Sequence, residues 1–219
     1  KEYNVKAEGE TIEVKLSTNV DFEVTMPDVD WIEQVSSRAL KEHTLYIKVA
    51  QNDGEESRSA EIVFTNKKSQ VSDSILINQQ VKVVVAELKT AGTLKNVLGN
   101  NYKEIISLKV VGPINGDDVY VLRKMLGASS FSEVNWGKLA VLDLSEASIV
   151  KGGDYYYGGF YTSDNIVGER MFYECNNLQE ISLPQNAISI EDYAFMGCQE
   201  MSKITIFEEV ASIGWNAFN

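Results

Sequence analysis

Histidine and cysteine, the side chains that most often carry nucleophilic or metal chemistry, are scarce in this sequence. One histidine and two cysteines occur among 219 residues. His43 stands among Lys41, Glu42 and Thr44 with no nucleophile motif beside it, which is typical of a surface histidine. We therefore predict neither cysteine–histidine catalysis nor a metal site, and no cofactor.

The two cysteines, Cys175 and Cys198, lie 23 residues apart at equivalent positions of a sequence repeat. Adjacent strands sit about 4.8 Å apart, so the two thiols should be close. A disulfide is one interpretation, and an exported chain would allow it. We favour a pair of small buried hydrophobic residues, because repetition alone places both. A metal site would need further soft ligands, and none is near in the sequence.

Carboxylates are abundant, but their arrangement does not indicate an active site. A glycosidase needs two carboxylates across a cleft, and 32 acidic residues produce accidental neighbours such as Asp117–Asp118 and Glu208–Glu209. The run at residues 52–56 is typical of a hairpin turn, because it lacks the alternating ligands of an EF-hand calcium loop. We predict that the protein is not an enzyme, and an enzyme acting on polysaccharide ranks last among our hypotheses.

A short aromatic segment is the most unusual part of the sequence. Five aromatic residues fall between pairs of glycines: Tyr155, Tyr156, Tyr157, Phe160 and Tyr161. Such a composition is typical of contact surfaces, because tyrosine offers rigid apolar area with a polar tip. A second interpretation stays open, in which the rings lie on the flank of the fold and anchor a long loop. We assign all five residues to a candidate binding surface.

The charge balance limits the classes of partner. Lysine and arginine number 20 against 32 acidic residues, a net charge of −12. We therefore expect neither nucleic acid nor an anionic membrane surface as a partner. No stretch approaches the roughly 18 apolar residues of a spanning helix, so direct membrane insertion is not expected. The first residue is Lys1 rather than Met, which indicates either a removed leader or a cloning artefact, and a removed leader would make the protein an exported one.

Alternating apolar residues predict β-strands in the first third of the chain. They form five runs: Ile12, Val14 and Leu16; Phe22, Val24 and Met26; Leu45, Ile47 and Val49; Ala60, Ile62 and Phe64; Ile75 and Ile77. A period of two indicates strands with one face in a core, and this spacing of short strands favours a β-sandwich. Trp31 and Ile32 fall in a connection, where Trp31 is expected to fill one end of the core.

This region resembles the BACON domain, an immunoglobulin-like module of exported Bacteroidetes proteins. The resemblance rests on Phe22–Val24 followed by Trp31–Ile32, on residues 45–49 leading to Asn52, and on residues 58–62 and 75–79. It implies an immunoglobulin-like sandwich and a link to carbohydrate binding, although members also resemble spacers. Because no trio of aromatic residues suggests a sugar platform in this region, we favour a spacer.

A 23-residue repeat organises the carboxy-terminal part. It aligns columns of equivalent residues: Phe172, Phe195 and Phe218; Val167, Ile190 and Ile213; Cys175 and Cys198; Leu178, Ile181 and Leu183 with Met201, Ile204 and Ile206. This period and apolar spacing are those of leucine-rich repeats, whose stacked units share one core. Two irregular units precede, around Leu142 and Leu108. Helices are predicted at residues 91–98 and 116–126, the latter capped by Asp117, and an insertion within residues 150–165.

The regular units resemble BspA-like leucine-rich repeats. Ile190 with Ala194–Phe195, and Ile213–Gly214 with Ala217–Phe218, match the signature of that family. The resemblance is strong over residues 166–219 and looser over 91–150. It implies a cell-surface adhesion or host-interaction protein of Bacteroides type.

Side chains that alternate away from the core of these units should form a shallow polar face. They are Ser107, Lys109, Val141, Asp143, Glu180, Ser182, Lys203 and Thr205. Such a face suits a macromolecular partner better than a small substrate. We add four charged members of this set to the candidate binding surface: Lys109, Asp143, Glu180 and Lys203.

These patterns predict a mainly β protein with some α-helix, divided into two domains. An immunoglobulin-like sandwich is expected at residues 1–82 and a leucine-rich solenoid at 83–219, irregular over 91–165 and regular over 166–219. The two should fold separately, with a junction near residues 80–87. The carboxy-terminal edge should be open, so that further chain or another molecule covers it.

Our leading hypothesis is a non-enzymatic, exported interaction or adhesion protein at the cell surface or outer membrane, with a lipoprotein anchor as one option. In it the sandwich is a spacer and the solenoid recognises a host or bacterial surface protein. The alternative is a carbohydrate-binding protein that recognises a host or dietary glycan.

Overall fold

The described part of the chain comprises residues 1–17, 21–35, 44–52, 54, 57–129 and 137–219 of a computed structural model. It is mainly β and divides into two compact units, Lys1–Lys82 and Val83–Asn219. His43 and part of the predicted turn at residues 52–56 lie outside the described residues.

The first unit has two sheets. Its strands are β1 (Glu2–Val5), β2 (Glu10–Lys15), β3 (Phe22–Thr25), β4 (Ile32–Val35), β5 (Thr44–Val49), β6 (Arg58–Asn66) and β7 (Ser72–Gln79). One sheet has the order β1–β7–β6–β3 and the other β2–β5–β4. All pairs are antiparallel except β1–β7, which is parallel.

The core of this unit is formed by both sheets. Val14 and Ile47 are fully buried on the sheet β2–β5–β4, and Ile62 and Ile77 are fully buried on the sheet β1–β7–β6–β3. The five predicted runs are confirmed as β2, β3, β5, β6 and β7. The structure differs from the prediction in two places. Strand β1 was not predicted. Ile32, which was expected in a connection, begins β4, because its backbone pairs with β5. Trp31 is buried as predicted, with the Arg58 guanidinium 4.4 Å from the ring centroid.

The second unit stacks parallel strands. A five-stranded sheet contains, from one edge to the other, β8 (Val83–Glu87), β9 (Ser107–Ile114), β10 (Val141–Ile149), β14 (Glu180–Ser182) and β16 (Lys203–Thr205). A three-stranded sheet contains β13 (Ile166–Val167), β15 (Ser189–Ile190) and β17 (Ser212–Ile213). Between them in sequence lie α1 (Leu94–Leu98), a 3-10 turn (Tyr102–Glu104), α2 (Gly116–Met125), β11 (Gly152–Tyr157) and β12 (Phe160–Thr162). The segment predicted as the junction therefore includes a strand of this unit, β8.

The strand register confirms the predicted alignment of the repeats. In the larger sheet, residues from all four predicted units are successive partners: Leu108, Leu142, Ile181 and Ile204. In the smaller sheet the partners are Val167, Ile190 and Ile213. The rings of Phe172, Phe195 and Phe218 stack with centroids 5.3 and 5.4 Å apart. Equivalent residues of neighbouring units are thus in direct contact, as expected for stacked repeats.

Helix α2 begins at a different cap from the one predicted. The cap is Asn115 rather than Asp117, because Asn115 Oδ1 accepts a hydrogen bond from the Asp117 N–H at 3.1 Å. The buried carboxylate of Asp118 accepts from the N–H groups of Asn115, Gly92 and Leu94, at 3.0, 2.5 and 2.9 Å. Asp118 therefore joins the first turns of α1 and α2, and α1 begins later than predicted.

Candidate interaction surface

The aromatic insertion is a β-hairpin, β11–β12, held against the start of α2. The Thr162 hydroxyl donates to the carbonyl oxygen of Val150 at 2.8 Å, and the Asp154 N–H donates to Asp117 Oδ1 at 3.1 Å. A Cβ at Gly116 would lie 1.8 Å from the carbonyl oxygen of Asp154, so this close approach requires glycine. The hairpin is thus fixed to the second unit by its backbone.

The inner face of the hairpin belongs to the core. Tyr156 is only 1% exposed, and its hydroxyl donates to the Glu169 carbonyl oxygen at 2.8 Å. Tyr157 is half-buried between the Arg123 guanidinium, 4.6 Å from its centroid, and the stacked ring of Tyr173 at 5.7 Å. The assignment of Tyr156 to the binding surface is therefore wrong, because burying this ring closes the core beneath the hairpin. For Tyr156 the anchoring interpretation is correct.

Because Tyr156 is buried, ionisation of its hydroxyl should lower the free energy of unfolding at high pH. Loss of hydration raises its pKa above the usual 10.0, and the nearby Glu191 carboxylate raises it further. A tyrosine whose pKa is higher in the folded chain contributes stability that is complete below pH 10 and declines as the pH rises above it.

Tyr156→Phe should lower the free energy of unfolding at pH 7 by about 1 kcal/mol, because one buried hydrogen bond is lost. It should also make the decline in stability above pH 10 shallower than in the parent chain. Urea unfolding at pH 7 to 11 measures both effects. The matched control is Tyr155→Phe, since Tyr155 is exposed, and it should change neither. An unaltered alkaline decline in the Tyr156 variant would contradict this account.

The outer face of the hairpin carries two exposed rings. Tyr155 is 50% and Tyr161 58% exposed, and they meet edge to face with centroids 6.3 Å apart. Phe160 is half-buried, and its ring stacks on that of Tyr157 with centroids 6.5 Å apart. Of the five aromatic residues assigned to binding, Tyr155 and Tyr161 are the most exposed.

The predicted polar face is present on the five-stranded sheet except at Ser107, which is buried. The charged side chains of this face are paired with one another. Lys109 Nζ lies 2.5 Å from Glu146 and 3.8 Å from Asp143, and the hydrogen bond with Glu146 raises the pKa of Lys109. Lys203 Nζ lies 3.0 Å from Glu180. The four assigned residues are thus brought together in two ion pairs on one face. Exposed pairs of this kind contribute little to stability, and they leave the face close to neutral.

A second aromatic surface combines Tyr157 and Phe160 of the predicted set with three rings that were not predicted. We call it the aromatic strip; it consists of Tyr157, Phe160, Tyr173, Tyr193 and Trp215. Its rings form two groups. Phe160, Tyr157 and Tyr173 stack in series, and Tyr193 meets Trp215 edge to face with centroids 5.3 Å apart. The Arg170 guanidinium joins the two parts, lying 5.6, 5.8 and 5.1 Å from the centroids of Phe160, Tyr173 and Tyr193.

A repeat signal for this strip exists in the sequence. Arg170 and Tyr193 are one 23-residue period apart, and both adopt a φ of 56° at the same turn of successive repeats. Because the turn recurs, the side chains at these positions must be neighbours. Their contact could have been inferred from the period alone.

The cysteines are free, and the favoured interpretation of them as packing residues agrees with their surroundings. Cys175 is buried, and the Cys198 thiol donates to the Phe172 carbonyl oxygen at 3.0 Å. Burial raises the pKa of the Cys175 thiol and raises that of Cys198 to about 11. Within the ranges described, no cluster of three histidine, cysteine or acidic side chains could hold a metal ion, and no helix is long and apolar enough to cross a membrane.

A depression of the first unit is lined in part by aromatic rings. About 620 Å³ in volume, it is lined by aromatic and aliphatic side chains that include Tyr3, Leu16, Phe22 and Phe64. Phe22 and Phe64 meet edge to face at 6.2 Å. These rings pack against each other within the unit and present no flat platform.

Comparisons with known proteins find two families. The BACON model, described as an N-terminal binding domain, matches residues 20–80. The model for the BspA type leucine-rich repeat region matches residues 162–219. No curated protein matches the chain.

Two solved structures show weak likeness. A protein from Bacteroides thetaiotaomicron, solved by NMR, is 13% identical with a TM-score of 0.27, over 37% of this chain and 76% of that one. The Bacteroides ovatus GH5 xyloglucanase in complex with a XXXG heptasaccharide is 11% identical with a TM-score of 0.31, over 60% of this chain and 27% of that one. Neither TM-score reaches the level at which two structures share a fold. On the family matches, the chain contains a BACON domain at residues 20–80, followed by BspA-type leucine-rich repeats at residues 162–219.

Proposed function

We propose that the protein is a non-catalytic surface-binding or adhesion protein. In this proposal the first unit is an immunoglobulin-like sandwich that acts as a spacer, and the second is a leucine-rich solenoid that carries the contact surface. Two sheets around one core support the first assignment, and parallel strands stacked at a 23-residue period support the second. Both matched domain types are of the binding rather than the catalytic kind.

The proposed location is outside the cell, at the cell surface or the outer membrane, with a lipoprotein anchor as the means of attachment. The proposed partner is a host or bacterial surface protein. Support for both comes from the family resemblance, since BACON and BspA-type repeats are associated with surface binding and adhesion.

The exposed pair of rings on the hairpin carries the proposal. Tyr155 and Tyr161 are large side chains that project from a backbone already fixed against α2. A fixed backbone reduces the entropy lost on binding, and tyrosine has few rotatable bonds to immobilise. Such rings are frequent hot spots of protein interfaces. The paired charges of the polar strand face would contribute mainly to solubility and orientation.

The double variant Tyr155→Ser/Tyr161→Ser should weaken binding about tenfold or more to any matrix protein that the parent chain recognises. Its free energy of unfolding should change by about 0.5 kcal/mol or less, because both rings are exposed. Solid-phase binding to a panel of purified extracellular-matrix proteins and mucin measures the first, and urea unfolding the second.

The matched control is Tyr46→Ser, which removes an exposed tyrosine from the first unit. It should bind as the parent does. If the hairpin variant also binds as the parent does, the contact surface lies elsewhere. Hydrolysis of a polysaccharide by the parent chain would contradict the non-catalytic assignment.

A second candidate function is glycan binding. The observation that favours it is the aromatic strip, where rings stand beside a guanidinium and carboxylates on the same repeats. Protein interfaces use the same residue types, but the mixture of flat rings with fixed hydrogen-bonding groups also suits a sugar.

A further inference from the structure

We propose that the aromatic strip and the groove beside it form a binding site for a neutral oligosaccharide. The inference rests on the proposed binding function and assigns a ligand class to the repeats. It concerns a different surface from the outer face of the hairpin, so the two can be tested apart.

The first observation is Arg170, a cation held among rings instead of carboxylates. Its guanidinium lies near Phe160, Tyr173 and Tyr193, and its Nε is buried without a hydrogen-bond partner. No ion pair of Arg170 is found in the described part of the chain. Other cations of this unit, such as Lys109 and Lys203, are paired with acidic side chains. Since the buried Nε is out of reach, the terminal guanidinium nitrogens, which have no acceptor in the described part of the chain, are the donors left for another molecule.

The carboxylate of Glu174, four residues after Arg170, is already engaged. Glu174 accepts hydrogen bonds from the hydroxyls of Tyr173 and Ser129, and the contact with Glu174 raises the pKa of Tyr173. The side chain of Arg170 is therefore positioned by aromatic contacts, which hold its planar group beside the rings.

The second observation is a groove with hydrogen-bonding walls next to Tyr193 and Trp215. It measures about 410 Å³, and its polar lining consists of Glu169, Ser189, Glu191, Asp192 and Ser212. Two of the carboxylates are fixed by the backbone of the repeats, since Glu191 accepts from the Glu169 N–H at 3.0 Å and Asp192 from the Trp215 N–H at 2.6 Å. A carboxylate oxygen has more than one acceptor position, so both groups can accept further hydrogen bonds.

The exposure of Trp215 follows from its position in the repeat. Trp215 is 66% exposed, and its equivalent one period earlier, Asp192, is also exposed although a repeat lies on either side of it. This position therefore points away from the stacked core. A tryptophan there offers an accessible ring face beside the groove.

A neutral sugar matches these groups better than an anion does. The C–H face of a pyranose ring can lie on Trp215 or Tyr193, its hydroxyls can donate to the fixed carboxylates, and its oxygens can accept from Arg170. Three acidic residues line the groove, so sulfated or carboxylated glycans would be repelled.

Isothermal titration calorimetry of the full chain tests the site with three neutral probes, cellohexaose, mannohexaose and maltohexaose, and two anionic ones, chondroitin sulfate and polygalacturonate. We expect at least one neutral probe to bind, with a Kd that rises about tenfold or more in Trp215→Ala and in Arg170→Gln. The matched control, Tyr46→Ala, removes an exposed tyrosine of the first unit and should bind as the parent does. Tyr155→Ala is measured beside it to show whether the hairpin takes part. Trp215 is exposed, so its variant should fold, which circular dichroism checks.

Absence of binding to all three neutral probes, binding of the anionic probes alone, or unchanged binding in both strip variants would overturn the inference. If matrix-protein binding stays sensitive to Tyr155 and Tyr161 while no neutral glycan binds, the inference fails and the proposed function stands. If glycan binding depends on Tyr155 instead of Trp215, the hairpin is the sugar platform and the strip is not.

Discussion

Asp118→Ala should lower the free energy of unfolding by about 4 kcal/mol, or prevent the second unit from folding. Asp118 is buried, and its two oxygens accept hydrogen bonds from three backbone N–H groups, of Gly92, Leu94 and Asn115. Hydrogen bonds to a charged group contribute more than neutral ones, and removing the carboxylate leaves the Leu94 and Asn115 N–H groups buried without an acceptor. Urea unfolding followed by far-ultraviolet circular dichroism measures the effect.

Two variants separate this role from a general effect of removing charge. Asp117→Ala removes an exposed neighbour that accepts one hydrogen bond, from Asp154, and should cost about 1 kcal/mol or less. Asp118→Asn keeps one oxygen but replaces the other with a donor, so its cost should fall between those of the two alanine variants. A loss of less than about 1 kcal/mol in Asp118→Ala would show that the loop before α1 and the cap of α2 are held by other contacts.

The arrangement of the repeats could be predicted because stacking is a local rule applied again. When equivalent residues stand one period apart, parallel pairing must place them side by side, as it does for Ile181 with Ile204 and for Ile190 with Ile213. The irregular units followed the same rule, since Leu108 and Leu142 are also partners. Alternation was equally informative in the first unit, where one face of each strand enters the core.

Other pairings depend on contacts that no local pattern encodes. Strand β1 pairs with β7 across most of the first unit, and β8 is recruited to the sheet by β9. The cap of α2 was misplaced because Asn115, Asp117 and Asp118 are all good caps in sequence. The N–H groups of Gly92, in the loop before α1, and of Leu94, the first residue of α1, determine that Asp118 is the most deeply buried of the three.

The candidate site also depends on contacts that no local sequence pattern encodes. Three consecutive tyrosines offer no contrast in polarity, so alternation could not tell that Tyr156 is buried while Tyr155 is exposed. The aromatic strip combines side chains from the hairpin and from successive repeats, and the hairpin's orientation depends on the close approach at Gly116. The period places Arg170 beside Tyr193, but only the fold brings Phe160 to them.

Phe195→Ala should be as damaging as the loss of Asp118, at about 3–5 kcal/mol. Phe195 is fully buried, and its ring stacks on Phe172 on one side and Phe218 on the other. Removing it opens a cavity and breaks two neighbour contacts at once, and stability in stacked repeats is a sum over such contacts. Phe218→Ala is the matched control, because Phe218 is 41% exposed and, among the described residues, its ring stacks on Phe195 alone. It should cost about 1–2 kcal/mol. Urea unfolding of both variants gives the comparison, and equal losses would show that the phenylalanine ladder does not couple the repeats.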